Sequence, residues 1–169
     1  MLTDTLIRLA ARDDLPALHP VIERAYRGDT AREGWTHEAD LIEGDRTSVA
    51  VLEEILANAQ QRLILAEHEG RPVGCVSVTD LEDGFAYLGQ LCVEPRLQAG
   101  GLGKVLIAAA EQAARQTFGA HTIEMTVIEG RAELIDYYRR RGYALTGERR
   151  DFPIDLDPPL FMAVLEKPL

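Results

Sequence analysis

The chain has 169 residues, 46% of them hydrophobic, and a formal net charge of −10. That length and apolar content predict one domain spanning residues 1–169, with its own core, and exclude extended disorder. So acidic a balance excludes non-specific binding to nucleic acid, which needs clustered Lys and Arg; it leaves either plain solubility or a cationic or amine partner.

Residues 5–10, "TLIRLA", read as a short strand. "ARDDLPALHPVIERAYRG" then reads as a helix, with Asp13 or Asp14 as its cap and Pro16 in its first turn. Residues 28–48 form a polar, Gly-punctuated connection with a short helix expected around 37–43. "SVAVLEEILANA" has helical spacing behind the cap Ser48. The period then changes. "RLILAE" and "PVGCVSVTD" form a hairpin across "HEGR", and "FAYLGQLCVEP" is a further strand after "LEDG". From 101 the period returns to helical, with Leu102, Val105, Leu106, Ala109, Ala110 and Ala113 on one apolar face and Gly119 as the stop. "HTIEMTVIEG" alternates, placing Ile123, Met125 and Val127 against Thr122, Glu124 and Thr126. "RAELIDYYRRRG" is a short helix stopped by Gly142, and "YALTGERRDF" and "LFMAVLEKPL" are the closing strands. This order predicts an α/β (α+β mixed) architecture, a mixed sheet with helices on both faces.

Cys75 and Cys92 lie in apolar runs, as expected of buried thiols in a reducing compartment. No apolar run approaches the ~18 residues of a membrane span, so no membrane contact is expected. "MLTDTLIRLAARDD" lacks the basic-then-apolar pattern of a signal peptide, and a cytoplasmic location is the expectation.

The stretch "QAGGLGK", residues 98–104, stands between a strand and a helix. A helix start offers unpaired N–H groups and the positive end of its dipole, and glycines let an anion approach. Two common phosphate cradles are excluded. A nucleotide P-loop needs Ser or Thr after its G-K, where Val105 stands, and a glycine where Gln98 stands. A dinucleotide fingerprint needs a third glycine after Gly101 and Gly103, where Leu106 stands.

The longer segment "VEPRLQAGGLGKVLI" resembles the GNAT superfamily of N-acetyltransferases. The family signature V-x-P-x-x-[QR]-x-x-G-x-[GA] is filled by Val93, Pro95, Gln98, Gly101 and Gly103. The hairpin "LAEHEGRPVGCVSV" and the late helix "YYRRRGY" are similar to the family's. The resemblance implies a mixed, mostly antiparallel central sheet of about seven strands flanked by about four helices, with its fourth and fifth strands splayed. It implies an acetyl-CoA-dependent N-acetyltransferase that moves acetyl directly to the amine of a small-molecule acceptor through a ternary complex. Backbone N–H groups of Gln98, Ala99, Gly100, Gly101, Leu102, Gly103 and Lys104 would hold the coenzyme A pyrophosphate. The pantetheine arm would pair with the backbone of Leu91, Cys92 and Val93.

Carried over residue by residue, Tyr138, four before Gly142, is the candidate acid beside the coenzyme A sulfur, and Tyr137 beside it is a packing residue. A backbone N–H of Val93 or Cys92 would stabilise the oxyanion. Arg131 stands where the family often has asparagine, and would meet coenzyme A or the acceptor. The base stays open: Gln90 cannot serve, Glu94 lies toward the phosphate end, and Glu124, Glu33, Glu38, His37 or ordered water remain. Cys92 has no histidine near it in sequence to make it a nucleophile, and His19, His37, His68 and His121 lack metal spacing, so no metal is expected. In the family the acceptor pocket is built by the segment between the first two helices. Tyr26, Trp35, Glu38 and Arg46 are its candidates here, Arg46 for a carboxylate and Glu33 or Glu38 for a second ammonium. A non-catalytic acyl-CoA sensor and acetylation of a protein or peptide amine are the alternatives. The family's frequent homodimers make one possible here, through the last strand.

Overall fold

The computed structural model describes residues 3–26 and 46–169. The helix expected around 37–43 lies outside the described residues. The described elements are β1 (Thr5–Leu9), α1 (Leu15–Tyr26), α2 (Val49–Ala57), β2 (Gln61–His68), β3 (Arg71–Glu82), β4 (Phe85–Val93), α3 (Leu102–Phe118), β5 (Thr122–Ile128), α4 (Ala132–Arg139), β6 (Ala144–Asp151) and β7 (Phe161–Pro168). Their order is the one the sequence predicts. None of the described helices is long and apolar enough to cross a membrane.

The strands form one sheet in the order β1-β2-β3-β4-β5-β7-β6. Every neighbouring pair is antiparallel except β4 and β5. Because side chains alternate along a strand, the sheet buries two separate cores. Ile64, Val76, Val78, Leu88, Leu91, Val93, Ile123, Met125 and Val127 pack under α3 and α4. Leu63, Leu65, Cys75 and Cys92 pack under α1 and α2.

Local chemistry explains the element ends. The Ser48 side chain accepts a hydrogen bond from the Val51 N–H and starts α2. Asp14 sits in a 3-10 turn, Arg12–Asp14, just before α1; its carboxylate accepts the Ala11 N–H and is gripped by Arg8, which also binds Glu67. Gly119, at φ +64°, ends α3 with its N–H on the Ala114 and Arg115 carbonyls.

The buried stripe of α3 is rotated from the one expected. It comprises Leu102, Leu106, Ile107, Ala110, Glu111 and Ala114, while Val105 is only half-buried. The physical reason is Glu111, which the apolar pattern treats as a surface residue. Its carboxylate takes Lys167 Nζ at 3.0 Å from β7 and the Tyr143 hydroxyl at 2.9 Å. Satisfied from two sides, it goes inward and turns the helix with it.

Candidate active site

The parallel pair β4–β5 joins only at Phe85, Ala86 and Tyr87 with Thr122, Ile123 and Glu124. Beyond those residues the strands splay. Leu88–Leu91 and Met125–Ile128 line a cavity of about 490 Å³.

The strand alternation gives this gap two faces. On the α3 and α4 face stand Leu88, Met125, Val127, Arg131, Leu134 and Tyr138. On the α1 face stand Tyr26, Arg46, Tyr87, Thr126 and Arg150, with Phe152 and Ile154 at the rim. The cavity therefore opens the sheet from one side to the other. At its closed end the Tyr87 and Thr126 hydroxyls are 2.6 Å apart.

A β-bulge shapes the β4 wall. Ser77 pairs with Gly89 and Cys75 with Cys92, so Gln90 and Leu91 stand opposite Val76 alone. Gln90 has φ +49°, a conformation few non-glycine residues adopt. The Cys75 thiol donates to its carbonyl at 3.3 Å. The Gln90 Oε1 is buried and has no hydrogen-bond partner among the described residues.

The glycine stretch falls where a phosphate site is expected. β4 ends at Val93, a 3-10 turn runs over Pro95–Gly100, and α3 starts at Leu102 with no side-chain cap. Gly101 has φ +81°. A Cβ on Gly100 or Gly101 would meet nothing within 4 Å, so the approach is open. A Cβ on Gly103 would lie 2.7 Å from the Tyr137 hydroxyl, so the tip of that side chain would have to shift to admit one. Gln98 Nε2 donates to the Val93 carbonyl at 3.2 Å and ties the turn back to its strand. Ala99 is in the same turn, and Lys104 is exposed in the first turn of α3. These features fit a pyrophosphate: uncapped N–H groups, open space and a nearby cation.

Tyr138 lies on the cavity wall, buried to 6% exposure. Burial, and then Tyr137 beside it, push its phenol well above the ordinary tyrosine range, with Arg131 opposing. Its ring meets Tyr137 and Tyr143 edge to face at 5.4 and 6.1 Å. Tyr137 is a packing residue, as the sequence suggests, and what it packs on is the first turn of α3.

The candidate bases divide. Glu124 accepts from Nη1 and Nη2 of Arg150, at 2.9 and 3.3 Å, and Glu94 accepts from Nε and Nη2 of Arg24, at 3.0 and 2.7 Å. Both carboxylates are tied up in forked ion pairs. Trp35, Glu33, His37 and Glu38 lie outside the described residues. Cys92 is 1% exposed on the α1 side, with its sulfur 3.5 Å from that of Cys75.

Two of the acceptor candidates are brought to the cavity. The Tyr26 hydroxyl donates to the Leu91 carbonyl. The Arg46 guanidinium lies 4.8 Å over the Tyr26 ring, and the Arg46 and Thr47 N–H groups both bond the Glu23 carboxylate. Sequence reasoning missed Tyr87, Thr126, Arg150, Phe152 and Ile154. Each is unremarkable locally, and only strand pairing assembles them.

Comparison with known proteins agrees with this geometry. Residues 20–143 match the acetyltransferase (GNAT) family. The chain belongs to that family and is an N-acetyltransferase. It is 33% identical over 120 residues to an IAA acetyltransferase of Azospirillum brasilense, covering 69% of this chain and 73% of that protein. Among solved structures it is similar to the ribosomal-protein-alanine N-acetyltransferase of Brucella melitensis, with TM-score 0.74, 23% identity and coverage of 97% and 99% of the two chains. It is also similar to a Salmonella typhimurium protein solved with its cofactor acetyl-CoA, with TM-score 0.72, 19% identity and coverage of 99% and 95%. At these identities the two structures establish the fold.

Proposed function

We propose that the chain transfers acetyl from acetyl-CoA directly to a small-molecule amine within one ternary complex. The observation that carries this reading is the cavity that opens the sheet from face to face between β4 and β5. Donor and acceptor reach one point from opposite sides, and no covalent relay is needed.

When bound, acetyl-CoA supplies the thioester carbonyl. Backbone N–H groups of residues 98–104 would hold its pyrophosphate, and the backbone of Leu91, Cys92 and Val93 would pair with its arm. The Leu91 and Val93 carbonyls already accept from Tyr26 and Gln98. They would therefore offer a second lone pair or the residue's N–H. Arg131 would meet the arm from the α4 side. An amide N–H on β4, of Cys92 or Val93, would stabilise developing charge on the carbonyl oxygen.

In the reaction an N–C bond forms and the C–S bond breaks. The amine proton leaves, and the sulfur departs as a thiol. Tyr138 would donate a hydrogen bond to that sulfur. Its raised pKa makes complete transfer to a thiolate of ordinary pKa, about 8.5, uphill, so its phenol steadies the departing charge while water returns the proton. With Glu124 and Glu94 held by arginines, the amine proton would leave through water on the α1 face.

The test is release of coenzyme A thiol from acetyl-CoA across amino acids, polyamines, aminoglycosides and short peptides. One amine class is expected to turn over, with kcat lowered about 10- to 100-fold in Tyr138→Phe. No thiol release with any amine would refute the reading. Equal kcat in the variant would leave the transferase standing and reduce Tyr138 to a core residue.

A further inference from the structure

Gln90 combines features that packing alone does not explain. It occupies the bulge of β4, on the wall of the cavity and at the point where the strands have parted. It takes φ +49° inside a strand although it has a Cβ. The surroundings enforce that conformation: the Cys75 thiol holds its carbonyl, and the paired residues Gly89 and Cys92 clamp it on both sides. Strain of this kind persists where the fold over-determines it, and it collects at functional sites.

The side chain adds a second, independent sign. Oε1 is removed from solvent yet has no hydrogen-bond donor among the described residues. Buried carbonyl oxygens in folded proteins are nearly always satisfied, and an orphan at a cavity wall asks for a ligand that donates. Several other polar groups of the same cavity are bonded elsewhere. Tyr87 is engaged with Thr126, Tyr26 with the Leu91 carbonyl, and Arg150 with Glu124 and Glu148.

We propose that Gln90 is an acceptor-binding residue whose Oε1 takes a hydrogen bond from the N–H of the incoming amine. This rests on the transferase reading above. The group suits the task because it is neutral. A carboxylate in the same place would stabilise the ammonium form, which has no lone pair with which to attack. An amide oxygen accepts from the neutral amine without raising its basicity as strongly. Held by one N–H, the nitrogen keeps its lone pair free for the thioester carbonyl. Gln90 thus selects primary or secondary amines with a free N–H and orients them, while the proton leaves by another route.

The test uses the full chain and the best amine of the panel above, with Gln90→Met and Gln90→Glu beside the wild type. Methionine keeps length and loses the acceptor oxygen; glutamate keeps the oxygen. Gln90→Met is expected to raise the amine KM about tenfold or more, with an unchanged acetyl-CoA Kd by calorimetry and an unchanged Tm. Gln90→Glu is expected to keep the amine KM within about threefold of wild type while moving the optimum of kcat to higher pH, as the carboxylate holds the amine protonated longer. An amine KM in Gln90→Met within about twofold of wild type would overturn the proposal. So would equal KM losses in both variants, or a weakened acetyl-CoA Kd in Gln90→Met, since each marks a structural role. If the wild type acetylates no amine, the transferase reading itself has failed, and this assignment falls with it. Normal wild-type turnover with an indifferent Gln90→Met sinks the assignment alone.

Discussion

Replacing Lys167 by methionine would strip the buried Glu111 carboxylate of its counter-charge. Nζ of Lys167 contacts both carboxylate oxygens at 3.0 Å, and the side chains are 27% and 10% exposed. Breaking a fully buried pair from one side costs about 3–5 kcal/mol. The lysine end is partly wet, so water recovers some of that loss, and about 2–3 kcal/mol is expected for Lys167→Met. Tyr143→Phe removes one hydrogen bond to a charged acceptor and should cost about 1.5–2 kcal/mol. The double variant Glu111→Met/Lys167→Met removes both charges and leaves only the Tyr143 hydroxyl to resettle. It should be more stable than Lys167→Met alone by at least about 1 kcal/mol. Urea unfolding followed by circular dichroism, with m-values compared, reads all four proteins. A loss below about 0.5 kcal/mol in Lys167→Met, or a double variant no better than that single one, would refute the reasoning. The triad also bears on the site. It ties α3, β7 and the Tyr143 segment after α4 together, and the Tyr143 ring supports that of Tyr138.

Three further outcomes follow from the same structure. Gly100→Ala should leave Tm unchanged, because its Cβ meets nothing, yet weaken acetyl-CoA about threefold or more in a calorimetric titration by crowding the open approach. Gly101→Ala should cost about 1–2 kcal/mol in urea unfolding, because φ +81° disfavours any Cβ even in open space. Hydrogen bonds from Arg8 hold the folded Asp14 carboxyl below its unfolded pKa of about 3.9. Its stabilisation is then fully present above about pH 4 and lost as pH falls through the folded value, so Asp14→Asn should flatten the acid limb of stability by about 1 kcal/mol in this partly exposed cluster.

The fold was largely legible from local chemistry. The 2-to-3.6 changes of period, the Ser48 cap and the Gly119 stop mark elements that form in the structure where they were expected. The signature Val93, Pro95, Gln98, Gly101 and Gly103 was legible for the same reason, since its residues lie close together in the chain, across one turn and one helix start. The rotation of α3 was not legible. A buried glutamate reads as surface until Tyr143 and Lys167, far along the chain, are brought to it.

What the sequence by itself determined is therefore the set of elements, the glycine-lined helix start and the tyrosine of α4, all consequences of interactions within a few residues. Only the tertiary structure decided which groups share the cavity. Pairing of β4 with β5 over just three residues opens the sheet, and the bulge turns Gln90 onto the cavity wall. The ion pairs Arg150–Glu124 and Arg24–Glu94 engage one candidate base and the carboxylate beside the glycine turn. Those outcomes depend on strand register and on partners 26 and 70 residues apart in the chain, and no local pattern encodes them.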